Sequence, residues 1–240
     1  MVKKLRKKYL KPETKKNSEL NSKSLLRNEI KRCNKNLFVF ASIFTIIAAI
    51  IAAYLFPDFD ILGKTIILIL FFSLPSYNYY LLYIRLKDYK NHPIYKHAII
   101  LGDPQEVSNL LESSMEKKKL YNGKSIIIIP DWIIERKIFK FIFVHSTEIY
   151  WVYKVQTKHS INFIPTGSTY SIKIHTTYIK EMEIEKDCNE KETDNLLKII
   201  YSIAPWAIYG FSYELKTLDE INPIKIIDAV NLRKKEILSN

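Results

Sequence analysis

Five histidines, His92, His97, His145, His159 and His175, and two cysteines, Cys33 and Cys188, are the residue types able to hold a metal or attack a substrate. Their spacing supports neither role. No HExxH or HxxxH pair places two imidazoles on one helical face, and the cysteines stand far apart in the chain, so neither a zinc site nor a disulfide framework assembles from neighbouring ligands. Gly167, Ser168, Thr169 and Tyr170 offer a glycine and hydroxyls but lack the lysine and spacing of a phosphate-binding loop, and read as a hairpin turn. Glu148, Trp151 and Lys154 sit close together, where a core aromatic and a cross-strand ion pair account for them. With no clustered acid, base and nucleophile, the sequence predicts no enzyme, no cofactor and no metal.

Cations are the remaining candidates. Residues 1–36 carry 13 Lys/Arg against 3 Asp/Glu, which is +10 of the chain's formal +12. The rest of the chain is nearly neutral, which excludes a globular nucleic-acid binder with a broad cationic face. Lys3, Lys4, Arg6, Lys7 and Lys8 head the tail, followed by Lys11, Lys15 and Lys16 and a Ser/Asn-rich run. With little apolar surface, this tail is expected to be disordered up to about Leu25. Beside anionic lipid each cation contributes about 1 kcal/mol; RNA or an acidic partner suits the cluster equally, and the charges also fix membrane topology. Arg136, Lys137 and Lys140 form a second cluster between two early strands, either a solvated hairpin or a contact for anionic headgroups.

Two apolar stretches must position these charges. Leu37 to Phe56 contains no charged residue, and its twenty residues at 1.5 Å each span about 30 Å, the thickness of the hydrocarbon layer. A short turn holding Pro57, Asp58, Asp60, Gly63 and Lys64 reverses the chain, and residues 65–84 are again uncharged. Pro75 is expected to kink this second helix, and Tyr77, Tyr79, Tyr80 and Tyr83 read as an interfacial aromatic belt. The excess of Lys/Arg at both outer flanks, against a single one in the turn, predicts a multi-pass anchor with both termini in the cytoplasm. A cleaved signal peptide is disfavoured by the length of its charged and apolar parts. Ala41, Thr45, Ala49 and Ala53 recur every four residues and predict one shallow helix face for a partner helix or a second copy.

Residues 86–240 read as an α+β domain. His92-Pro93 opens a short helix ending at Gly102, and Asp103-Pro104 starts a helix over 104–119. After Asn122-Gly123 the period changes to two, predicting strands near 124–129, 131–136, 139–145, 148–157, 168–176 and 178–186. With no helix between them they are expected to pair as an antiparallel meander that curls into a sandwich or open barrel. Residues 189–204, with Leu196, Ile199, Ile200 and Ile203 on one side, predict a closing helix. Trp206, Tyr209 and Phe211 predict a short extended segment, Ser212 a helix cap, and Asn222-Pro223 the start of a last helix.

The segments IIIIPDWII, FIFVHSTEIYWVYK and the helix Asn189 to Ala204 resemble the bacterial pleckstrin-homology-like domains, many of which hang from paired membrane helices. The chain also resembles bacterial membrane proteins of uncharacterised role, through His92 to Ile94, Gly102 to Pro104 and Trp151 to Lys154. The family's fold has one strand more than the six counted here, leaving one strand to find or the segment after Trp206 to supply it. The resemblance implies a binding or scaffolding module without chemistry.

The expectation is therefore a membrane-anchored α+β protein of the bacterial inner membrane: basic cytoplasmic tail 1–36, transmembrane hairpin 37–84 (helices 37–56 and 65–84), and cytoplasmic domain 86–240. Its partners are the bilayer, anionic headgroups, and a partner protein or a second copy, with no specific nucleic acid. An accessory subunit of a transporter or channel is the alternative, weakened because Leu37 to Ile84 holds ionisable side chains only in the turn between its two helices.

Overall fold

The computed structural model describes residues 19–123, 125–161, 164–179 and 181–239. It divides into two compact units. A helical unit lies within Lys16–Asn109 and includes Lys137–Phe141; a β unit comprises Leu110–Arg136 and Ile142–Asn240. The boundary falls inside a helix.

In the helical unit, helix α1 runs Leu25–Leu55 and α2 runs Ile61–Lys87. Both are long and apolar enough to cross a membrane. Helix α1 begins well before the uncharged stretch, because the Ser24 hydroxyl accepts from Arg27 N and the polar first turns find partners on neighbouring segments. Asp60 caps α2 by accepting from Gly63 N at 2.8 Å. A Cβ at Gly63 would lie 2.7 Å from Phe59 Cδ1, so in the first turn of α2 glycine lets the Phe59 ring pack close to the backbone. Helix α2 continues through Pro75.

Helices α1 and α2 meet through Ser42 and Tyr79, whose hydroxyls are 3.0 Å apart, and through the edge of Tyr79 against Phe38. The small residues buried on α1 are Ala41, Ala48 and Ala52, whereas Ala49 and Ala53 are exposed. The expected four-residue stripe is corrected for a geometric reason. At about 100° per residue, Ala48 and Ala52 return to within about 20° of Ala41, but a strict four-residue repeat drifts by about 40° per step.

Helix α3 (Pro93–Leu101) ends at Gly102, and α4 runs Pro104–Met115. The latter is shorter than 104–119: the run Lys117, Lys118, Lys119 leaves the helix, and Lys117 Nζ bonds Asp131 Oδ2 at 3.0 Å.

The β unit holds two four-stranded sheets. The first has the order β1 (Tyr121–Asn122), β2 (Ile126–Ile129), β3 (Trp132–Arg136) and β4 (Phe141–His145). The second has the order β7 (Met182–Cys188), β6 (Ile164–Thr176), β5 (Ile149–Ile161) and β8 (Ile208–Tyr209). Ile126, Ile128, Ile133 and Val144 of the first share one apolar cluster with Trp151, Val152, Ile172 and Ile174 of the second. Helix α5 (Glu190–Ile203) adds Leu196, Ile200 and Ile203 to that cluster. The closing helix is thus where the sequence puts it. Its start is a reciprocal capping box between Asn189 and Glu192. Helices α6 (Tyr213–Ile221), capped by Ser212, and α7 (Pro223–Ser239) complete the unit.

The segment after Trp206 supplies a further strand, β8, which pairs parallel to β5 through Trp151 with Ile208 and Val152 with Tyr209. The chain reaches that edge by way of α5, a long enough return to bring a strand back in the same direction. Gly167 to Tyr170 is not a turn: it lies within β6, where Gly167 faces His159 across a bulge and takes φ 144°, a conformation open to glycine.

Candidate functional site

A bulge positions the main candidate site. Ile149 pairs with Thr176 and Trp151 with His175, so Tyr150 is an extra residue in β5. An inserted residue turns its side chain out of strict alternation, and Tyr150 therefore reaches the same neighbourhood as His175. The Tyr150 hydroxyl donates to Asp219 Oδ1 on α6 at 2.5 Å, and Asp219 Oδ2 lies 3.2 Å from His175 Nδ1. That second approach has the distance of an ion pair but lacks hydrogen-bond alignment. All three side chains are buried.

From His175 the polar chain runs outward. His175 Nε2 is 3.5 Å from the Tyr153 hydroxyl and 3.6 Å from Glu181 Oε2, and Glu181 Oε1 accepts from Lys173 Nζ at 2.8 Å. Trp151 lies against the imidazole at 4.5 Å and donates its Nε1 hydrogen to Gly210 O at 2.7 Å. The outer end opens into a groove of about 510 Å³ with Tyr153, Phe211 and Tyr213 as its aromatic wall and Lys173, Glu181 and Lys216 among its charged groups. The Glu181 hydrogen bond holds the Lys173 ammonium above its usual range, and burial pushes the Tyr153 phenol up. His175 stands between the Asp219 carboxylate at Nδ1 and the Tyr153 hydroxyl, 3.5 Å from Nε2, a longer approach than the roughly 2.6–3.2 Å of a hydroxyl activated by a base. An aromatic wall with polar groups of both kinds suits recognition by contact.

The residues singled out by sequence fall elsewhere. Lys154 does not pair across strands: its Nζ donates to Asp194 Oδ1 at 2.8 Å and Glu190 Oε1 at 3.1 Å, both on α5. These bonds, Asp194 first, raise its affinity for the proton. Glu148 turns inward, where burial raises its carboxyl to about 8 against the opposing charge of Lys234. Lys234 itself donates to Thr147 O at 3.2 Å and lies over the Trp206 ring. Among the described residues no three of His, Cys, Asp and Glu converge as a metal-binding set. Cys33 is buried.

Of the anion-contact candidates, Lys3, Lys4, Arg6, Lys7 and Lys8 lie outside the described residues. Arg136 ends β3, exposed, with its backbone N–H bonded to Ser125 O. Lys137 and Lys140 close a turn, Lys137 N–H donating to Lys140 O at 2.8 Å, with exposed side chains. The turn is held on α1: Arg32 donates to Lys137 O at 3.1 Å, Asn36 donates to Ile138 O at 2.8 Å, and Phe139 packs edge-on against Phe40. Nothing in the spacing of residues 32–40 and 137–139 signals that contact. Nor does local sequence link Tyr150, His175 and Asp219, since the bulge joining them is a product of pairing.

Compared with known families, the chain is similar over residues 105–218 to the family described as a domain of unknown function (DUF6709). The similar region takes in both sheets and α5, and it stops beside Asp219. No curated protein and no solved structure matches the chain.

Proposed function

We propose that this protein is a non-enzymatic, membrane-anchored binding or scaffolding module of the bacterial inner membrane. Helices α1 and α2 span the bilayer as a hairpin, and both termini face the cytoplasm. The observation that carries the anchoring is the surface of these helices: in their most apolar windows only 22% and 17% of residues are buried. Phe38, Ile43, Ile46, Ile50, Ile69 and Leu70 are all exposed. A water-soluble protein rarely leaves so large an apolar surface bare, and lipid solvates it without cost. The orientation rests on the cations flanking the hairpin, among them Lys31, Arg32, Lys35, Arg85 and Lys87.

The β unit is the part that binds, and the groove walled by Tyr153, Phe211 and Tyr213 is its contact surface. A pleckstrin-homology-like fold is supported by the succession of hairpins and the closing helix α5, while the parallel β8 departs from that pattern. Two measurements test the reading. In alkaline carbonate extraction of bacterial membranes the full chain stays in the pellet; release into the supernatant overturns the anchor. A photo-crosslinking residue at Phe211 of the full chain yields a discrete protein adduct; a groove that yields none removes the binding role.

A further inference from the structure

We infer that the turn Lys137–Lys140 is a lipid-facing wedge: Ile138 and Phe139 enter the headgroup and acyl boundary beside α1, with Lys137 and Lys140 at the level of anionic headgroups. The inference rests on the anchoring of α1 and α2 proposed above.

Position carries it first. The last charged side chain before the uncharged run of α1 is Lys35, and that run begins at Leu37. In a spanning helix this step marks the edge of the hydrocarbon layer. The turn is fixed at that level by three hydrogen bonds to its backbone carbonyls, two from Arg32 above the step and one from Asn36 at it. Phe139 then contacts Phe40, three residues into the run, or about 5 Å further along the helix axis.

Composition carries it second. Ile138 is 64% exposed and Phe139 42% exposed, although both are large and apolar. In water apolar side chains at the tip of such a turn gain nothing by standing exposed. At a membrane surface the arrangement is favourable, because apolar tips bury in the acyl boundary while cations beside them attract anionic lipid. The exposed apolar faces of Phe38 and Val39 on α1 continue the same band. Using main-chain carbonyls as the attachment points leaves both apolar side chains available to lipid.

The test uses the full chain reconstituted in vesicles of phosphatidylcholine and phosphatidylglycerol carrying bromine on the acyl chains, either near the glycerol end or near the methyl end. Phe139→Trp and, as a second probe, Ile138→Trp are compared with the unsubstituted chain to remove the signal of the three natural tryptophans. Ile46→Trp reports on the anchor, since it lies about 14 Å beyond Leu37. The expected result is about twofold quenching of the added tryptophan in the turn by shallow bromine and less by deep bromine, with the reverse order at position 46. Quenching at 46 without quenching at 138 or 139 overturns the wedge and leaves the anchor standing. No quenching at any of the three positions overturns both.

Discussion

The phenol of Tyr150 donates to Oδ1 of Asp219 at 2.5 Å although 69 positions separate them in the chain. The bond exists because one extra residue in β5 turns Tyr150 out of alternation toward α6. Asp219 is thereby a buried carboxylate held between a phenol and the imidazole of His175. A buried carboxylate costs much unless it is hydrogen-bonded, so this small network is a point of high stability consequence.

Tyr150→Phe removes the donor and leaves the Asp219 oxygen buried, at a cost of about 1–3 kcal/mol. Asp219→Asn, which keeps an acceptor for Tyr150, costs less than Asp219→Ala. Urea denaturation of the full chain in mild detergent, followed by near-UV dichroism, measures both. Equal stability of the Tyr150→Phe and parent proteins would show that the bond contributes nothing net.

Glu148 gives the β unit a pH dependence. Burial raises its carboxyl from 4.5 to about 8, with Lys234 opposing. A raised folded value means that the folded state holds the proton more tightly. Its contribution is complete below about 4.5 and is lost as pH rises through about 8. Thermal unfolding across that interval should show stability of the parent falling with pH. Glu148→Gln, which cannot ionise, flattens the slope; an unchanged slope refutes the assignment.

His92 works in the opposite sense in the helical unit. Burial, with the nearby charge of Arg85, lowers its imidazole from 6.5 to about 4, and Nδ1 accepts from Ile94 N at 3.2 Å at the start of α3. A depressed folded value gives a contribution complete above about 6.5 and lost as pH falls through about 4. His92→Ser retains a capping oxygen and removes the titration. Protection factors of the α3 amides, taken against the unstructured exchange rate at each pH, should fall on acidification in the parent and stay level in the variant.

The capping box of α5 is testable separately. Asn189 Oδ1 accepts from Glu192 N at 2.9 Å, and Glu192 Oε2 accepts from Asn189 N at 3.4 Å. Asn189→Ala costs about 1 kcal/mol, and the longer return bond makes Glu192→Ala the milder change. Denaturant midpoints in detergent rank the two.

What was legible in the chain by itself was whatever depends on neighbours in sequence. Unbroken apolar runs defined the cores of α1 and α2, because length and the lack of charge are local properties. The helix 189–204 and the Ser212 cap were legible at the starts of α5 and α6, because a helix start is satisfied within one turn. Alternation marked the strands but could not fix their ends: Gly167 looks like a turn and lies inside β6, since a hairpin's turn is set by register across two strands.

The rest was decided by packing. His175, on a strand of plain alternation, meets Asp219 only because α6 lies beside the bulged β5. The parallel pairing of β8 depends on where α5 returns the chain. Ile138 and Phe139 acquire meaning only when Arg32 and Asn36 bind the turn to α1. Each of these is a contact between distant segments, where the partners are chosen by geometry and no local residue pattern records the choice.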